Sequence, residues 1–171
     1  MTNYRVGMGI DYHRFEEGRK LILGGVVFDY PLGLVGHSDA DVVAHCAADA
    51  LLGACRLGDI GKHFPDSDPA FKDINSLELL KRCAEMVRKK GFEIVNLDIM
   101  VVLEEPKISS KFREMEKNLS EAMGIQVDDV SVKATKPETM GSLGKKEGVA
   151  AHAVCLVKKI YGAHENSSEK E

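Results

Sequence analysis

Apolar and small or polar residues alternate from the start of the chain: Tyr4, Arg5, Val6, Gly7, Met8, Gly9, Ile10, Asp11. A period of two marks a strand. Gly7 and Gly9 share one of its faces, so a neighbouring element comes close to the backbone there. Residues 21–30 read as a strand or hairpin broken at Gly24-Gly25, and residues 31–36 as a loop. An Ala-rich helix follows, capped by Ser38 or Asp39 and running to about Cys55. Residues 57–73 contain Gly58, Gly61, Pro65 and Pro69 and read as a long loop, which in a compact domain is usually functional. Asn75, with Glu78 three residues later, opens a second helix that Gly91 closes. Leu97, Ile99, Val101 and Leu103 alternate along a strand ending near Pro106, and Phe112, Met115, Leu119 and Met123 recur at helical spacing with Gly124 as the stop. Residues 130–135 and 149–158 supply the last two strands. The pattern predicts an α+β fold, a single-domain two-layer sandwich of a mixed β-sheet with helices on one face. The domain spans 1–160, and residues 161–171 read as a polar, disordered tail.

A length of 171 residues suffices for one substantial core. A net charge of -4 gives no reason to expect nucleic acid or an anionic membrane as partner. No apolar run approaches the roughly 20 residues of a membrane span, and residues 1–15 lack the apolar stretch of a signal peptide. A cytoplasmic location is expected, or a plastid-type compartment if a targeting segment has been removed. Cys46, Cys55, Cys83 and Cys155 match no zinc-knuckle spacing and read as buried free thiols.

Candidate chemistry gathers in four places. Asp11 and His13 are two apart and point to one face of the first strand. With His45 from the helix they make a carboxylate and two imidazoles, a donor set for Zn²⁺ or another divalent transition metal with one position left open. His37, Ser38 and Asp39 lie where a helix N-terminus would welcome an anion. Asp41 and Asp49, which share the helix face of His45, are either ordinary structural carboxylates or partners that orient a ligand imidazole. The segments Gly58-Asp59-Ile60-Gly61 and Phe64-Pro65-Asp66-Ser67-Asp68 put carboxylates and hydroxyls on a constrained loop, either to hold a metal or hydroxyl groups or simply to form turns. Lys133-Ala134-Thr135-Lys136-Pro137-Glu138, followed by Gly141, Gly144, Lys145 and Lys146, either suits phosphate and Mg²⁺ or is a solvated basic loop.

Together these segments, spread over about residues 5–158, resemble the 2-C-methyl-D-erythritol 2,4-cyclodiphosphate synthases of the non-mevalonate isoprenoid pathway. The most specific pieces are Gly9 to His13, His37 to Asp49, Ala50-Leu51-Leu52-Gly53-Ala54, Leu57 to Lys62 and Phe64 to Asp68. The resemblance implies a homotrimer packed through its sheets, with active sites between subunits. It implies a metal held by Asp11, His13 and His45, and a second ion, Mg²⁺ or Mn²⁺, held by Glu138 at the substrate diphosphate. His37 and Ser38 match residues that contact the erythritol and phosphate portion. Asp59, Ile60, Gly61, Phe64, Pro65, Asp66, Ser67 and Asp68 match the loop around the methylerythritol hydroxyls. Pro106, Lys107, Ala134 and Thr135 match a cytidine pocket of the adjacent subunit.

Two departures from the family pattern stand out. Lys136 replaces a threonine that commonly polarises phosphate, and its ammonium can stabilise the same charge. Lys145 replaces an arginine in a run lining a cavity on the threefold axis, so bidentate phosphate binding is lost there. The implied reaction attacks the β-phosphorus of 4-diphosphocytidyl-2-C-methyl-D-erythritol 2-phosphate with its own 2-phosphate. CMP is released, and His37, Lys136 and Glu138 are catalytic. The competing readings are a metal-dependent phosphohydrolase of a nucleotide-linked substrate and a non-catalytic nucleotide-binding homologue.

Overall fold

The alternation at the start of the chain becomes a long strand, β1 (Tyr4–Glu17), in the structure, a computed structural model that describes residues 3–160. The tail expected at 161–171 lies outside the described residues. Strands β2 (Leu21–Leu23) and β3 (Val26–Phe28) form the expected hairpin about Gly24-Gly25. The next segment corrects the sequence reading. Within residues 31–36 a short strand, β4 (Leu32–Leu34), pairs antiparallel with the end of β1, and its Leu34 is fully buried. Three residues are too few for alternation to announce a strand.

Helix α1 spans Val42–Ala54, α2 Ile60–His63 and α3 Ser76–Lys89. Strand β5 (Phe92–Val102), helix α4 (Phe112–Met123), strand β6 (Val130–Thr135), the one-turn α5 (Gly141–Gly144) and strand β7 (Gly148–Lys159) complete the order. The main sheet runs β4-β1-β7-β5-β6. Only β5 and β6 are parallel, as the α4 crossover between them requires; the other neighbours are antiparallel.

Helices α1, α3 and α4 cover one face of this sheet and bury Leu97, Ile99, Val101, Ala153, Cys155 and Val157. Helix α1 lies closest. A Cβ at Gly7 would stand 1.9 Å from the Ala50 carbonyl oxygen, and one at Gly9 2.0 Å from that of Cys46. The two glycines let the Ala-rich helix rest directly on β1. The opposite face leaves Val6 67%, Met8 64% and Tyr12 61% exposed, with Val154 at 45% beside them.

The start of α1 also differs from the sequence reading. Residues 37–41 are a bent, non-helical segment, and the cap is Asp41 rather than Ser38 or Asp39. Its carboxylate accepts from Val43 and Ala44 N–H, and also from Gly24 (2.9 Å) and Gly25 (2.6 Å). A fully buried carboxylate needs that many donors, and only Asp41 reaches the hairpin as well as the helix.

Candidate metal centre

Asp11 and His13 leave β1 on the face that α1 covers, and His45 comes from the first turns of α1. Three donor atoms meet. Asp11 Oδ2 lies 3.0 Å from His13 Nε2 and 3.1 Å from His45 Nδ1, and the two nitrogens are 3.2 Å apart. The outer nitrogen of each ring decides what the inner one presents. His13 Nδ1 is 2.5 Å from the Val35 carbonyl oxygen, which can only accept, so the proton sits on Nδ1. His45 Nε2 is 2.8 Å from Ser76 Oγ and 3.0 Å from Ser38 Oγ. Ser76 donates its own hydroxyl proton to Asp39 through a very short contact, so it accepts from His45 Nε2–H. Both inner nitrogens therefore turn lone pairs toward each other and toward a carboxylate. That arrangement is repulsive unless positive charge lies between them.

In the metal-free protein, protonation of His13 supplies that charge. Burial alone would raise the Asp11 carboxyl, but the hydrogen bonds and charges of His13 and His45 outweigh it and hold the group well below the usual carboxylate range. Burial pulls His13 down, yet Asp11, the Val35 carbonyl and the charge of Asp41 raise it above an ordinary histidine. The three residues form a group able to hold a divalent metal ion.

Of the two readings open for Asp41 and Asp49, the structural one holds. Asp41 caps its helix, and Asp49 accepts from the Ile60 N–H at 2.7 Å; neither orients an imidazole. Ser38, Ser76 and Asp39 do so.

A cavity of about 230 Å³ opens beside the triad. His37, Ser38, Ile60, Gly61, Phe64 and Asp66 line it, as do Gly36, Phe71 and Leu79, which the sequence reading missed. Phe71 meets Phe64 edge to face at 5.3 Å, so the loop carries its own small apolar anchor. Asp59 caps α2 through the Lys62 N–H, and Asp68 caps the turn Pro69–Phe71 through the Ala70 N–H. The Asp68 carbonyl accepts from His37 Nε2 at 3.2 Å. Pro65 and Ser67 are exposed on the same loop.

A second cavity, of about 180 Å³, lies where β5 and β6 end side by side. Pro106, Lys107, Ala134, Thr135 and Lys136 line it with Glu104 and Phe112, which sequence reasoning did not place in a site. The two cavities share no residue, and Glu138 and Lys145 line neither. Within one chain the predicted site residues thus do not gather into a single site.

The sequence profile of the YgbB family matches residues 4–158. The chain belongs to the YgbB family. Among curated relatives, the 2-C-methyl-D-erythritol 2,4-cyclodiphosphate synthase of Chlorobium phaeovibrioides is 55% identical over 155 residues, 91% of this chain and 99% of that protein. The synthase of Chlorobaculum tepidum is 52% identical over 153 residues, 90% and 98% of the two chains. Among solved structures, a bifunctional IspDF from Campylobacter jejuni superposes with a TM-score of 0.90 at 41% identity, over 94% of this chain but 43% of that longer one. A Plasmodium falciparum IspF in complex with CDP superposes with a TM-score of 0.82 at 32% identity, over 94% and 99% of the two chains. Family members so similar over nearly their full length share the mixed sheet and helices described above. No helix among the described residues is long and apolar enough to cross a membrane.

Proposed function

We infer that this chain converts 4-diphosphocytidyl-2-C-methyl-D-erythritol 2-phosphate to 2-C-methyl-D-erythritol 2,4-cyclodiphosphate and CMP, a cyclising lyase step in isoprenoid precursor synthesis. The observation that carries the reading is the triangle of inward-facing donor atoms on Asp11, His13 and His45 beside a cavity able to take a polar ligand.

The reaction joins two anions. The 2-phosphate oxygen forms a bond to the β-phosphorus while the bond to the CMP oxygen breaks, and no protein nucleophile is needed. Asp11, His13 and His45 hold zinc or another divalent transition metal, and Glu138 holds Mg²⁺ or Mn²⁺; when bound, these ions supply charge neutralisation at the phosphates. This chain's residues then do the folding of the substrate. His37 and Ser38 hold the methylerythritol phosphate end. Asp59, Ile60 and Gly61 on α2, with Phe64 to Asp68, hold its hydroxyls. Pro106, Lys107, Ala134 and Thr135 take the cytidine, and the ammoniums of Lys136 and Lys145 face phosphate charge. Such positioning is worth about 7–11 kcal/mol when the reacting groups are well aligned. Phe64 and Phe71 help exclude water, which competes for the same phosphorus.

Two separate cavities in one chain call for a second copy. The bare sheet face of Val6, Met8, Tyr12 and Val154 supports packing of three subunits through their sheets, which joins the first cavity of one subunit to the second cavity of its neighbour. Residues 1–160 act as one catalytic domain, in the cytoplasm.

³¹P NMR of a reaction mixture tests the reading. Protein loaded with zinc and Mg²⁺ is expected to give the cyclic diphosphate and CMP, and chelator-treated or His45→Ala protein neither. An open-chain phosphate with CMP would instead identify a phosphohydrolase using the same metal. CDP binding without turnover would leave only a nucleotide-binding homologue.

A further inference from the structure

We propose that Glu104 is a positioning residue for the phosphate loop. Its carboxylate sets the turn that carries Glu138 and parks the Lys136 ammonium until an anionic nucleoside diphosphate draws that ammonium away. The proposal rests on the function inferred above.

A carboxylate in a cavity that takes the cytidine end of an anionic diphosphate is out of place by charge alone. Glu104 lines the second cavity with a side chain only 12% exposed, so it needs partners. The structure gives it two. One Oε accepts the backbone N–H of Thr139 at 3.1 Å, and the other lies 3.8 Å from Lys136 Nζ. These partners flank Glu138 on the loop after β6.

The Thr139 contact holds an unusual backbone. Glu138 and Thr139 have φ of 52° and 61°, the left-handed region, where a β-branched residue is an outlier. Such a conformation persists only where surrounding contacts over-determine it, and it aims the Thr139 N–H at Glu104. The direction in which Glu138 leaves the chain therefore depends on Glu104.

The Lys136 contact is of the opposite kind. At 3.8 Å, and with the lysine side chain 59% exposed, it is a loose ion pair that a stronger anion displaces. Other lysines near these strand ends are held more closely: Lys146 lies 2.9 Å from Glu105, and Lys133 touches Asp98. Lys136 alone of the three lines the second cavity. Glu104 thus keeps one cation beside the cavity and competes with the ligand for it.

The test compares Glu104→Gln, which keeps the acceptor for Thr139 but not the charge, with Glu104→Ala, which keeps neither. CDP affinity by calorimetry and steady-state kinetics are measured on the metal-loaded protein, each variant also in a Lys136→Thr background. In Glu104→Gln the released ammonium is expected to tighten CDP binding about two- to fivefold, and the gain should vanish in the Lys136→Thr background. In Glu104→Ala kcat should fall about 10- to 100-fold with a raised Mg²⁺ requirement, which glutamine rescues. A merely structural glutamate would not tighten CDP binding when neutralised. Unchanged or weaker CDP binding in Glu104→Gln, or an equal gain without Lys136, overturns the proposal. Should Glu104→Ala fail to fold, the Glu104→Gln comparison decides alone. Parent protein that neither binds CDP nor forms the cyclic product would refute the functional reading and remove this proposal with it; an active parent without the Glu104–Lys136 coupling refutes the proposal alone.

Discussion

Substituting Gly9 by alanine should damage the metal centre without touching a ligand. Gly9 lies on β1 two residues before Asp11, and its bare α-carbon faces the helix that carries His45. An added Cβ would stand 2.0 Å from the Cys46 carbonyl oxygen and 2.7 Å from the Ala50 nitrogen. An ordinary C···O contact is about 3.4 Å, so β1 and α1 must separate locally by about 1.4 Å. Both clashing atoms belong to backbone, and no rotamer relieves them. Metal sites tolerate errors of only about 0.2 Å in ligand distance, so a shift of that size disrupts a triangle now 3.0 to 3.2 Å on a side. We expect zinc affinity, measured against a chromophoric chelator, to fall at least about tenfold, or about 1.4 kcal/mol. Overpacking should also cost about 1–3 kcal/mol of fold stability. In chelator, for a chain of this size, that is a fall in Tm of about 2–12 °C. Gly53→Ala on the same helix is the control, because its Cβ would meet only the Met8 carbonyl oxygen at 3.9 Å. It should raise stability by about 0.5–1 kcal/mol through helix propensity and leave zinc affinity unchanged. Wild-type zinc affinity and Tm in Gly9→Ala would refute the claim that this close approach builds the site.

Ser76→Ala removes an acceptor of the His45 Nε2 proton and should weaken metal binding by about 10- to 100-fold in the same chelator assay; unchanged affinity would mean that Ser38 alone orients the ring. Glu138→Gln should raise the half-saturating Mg²⁺ concentration about tenfold or more with zinc content unaltered, and an unchanged Mg²⁺ titration would count against its role. The pH dependence of stability should differ with and without metal. Folded Asp11 lies below its ordinary 3.8, so its contribution is present above that pH and lost as pH falls through the depressed value. Folded His13 lies above its ordinary 6.5, so its contribution is full below that pH and lost as pH rises through the raised value. Zinc needs the neutral ring, so the Tm gap between zinc-loaded and chelated protein should widen from about pH 6 to about pH 8, and a constant gap would contradict the assignment.

Much of the fold was legible because it rests on local periodicity. The alternation of β1, the helical spacing of Met115, Leu119 and Met123, and the stop at Gly124 (φ 65°) each need only neighbours in sequence. Gly7 and Gly9 announced a close approach, although not which element made it. Asp11, His13 and His45 could be grouped because one strand and one helix explain them. What escaped was decided by distant contacts. Residues 37–41 offer several good caps, and the choice of Asp41 depends on Gly24 and Gly25. Ser76 opens α3 and reaches His45 from 31 residues away, a distance at which no spacing rule speaks. Glu104 fell inside the strand that alternation extended to near Pro106, but β5 ends at Val102, and the parallel pairing of β5 with β6 brings Glu104 to the loop of Lys136 and Glu138.

A phosphate of the substrate itself, and not water, is expected to attack the phosphorus beside the Asp11, His13 and His45 centre. Mass spectrometry of the products formed in H₂¹⁸O separates the two nucleophiles. Attack by phosphate gives a cyclic diphosphate and CMP that both lack the label; one ¹⁸O in either product would show that water had been the nucleophile and would overturn the cyclisation.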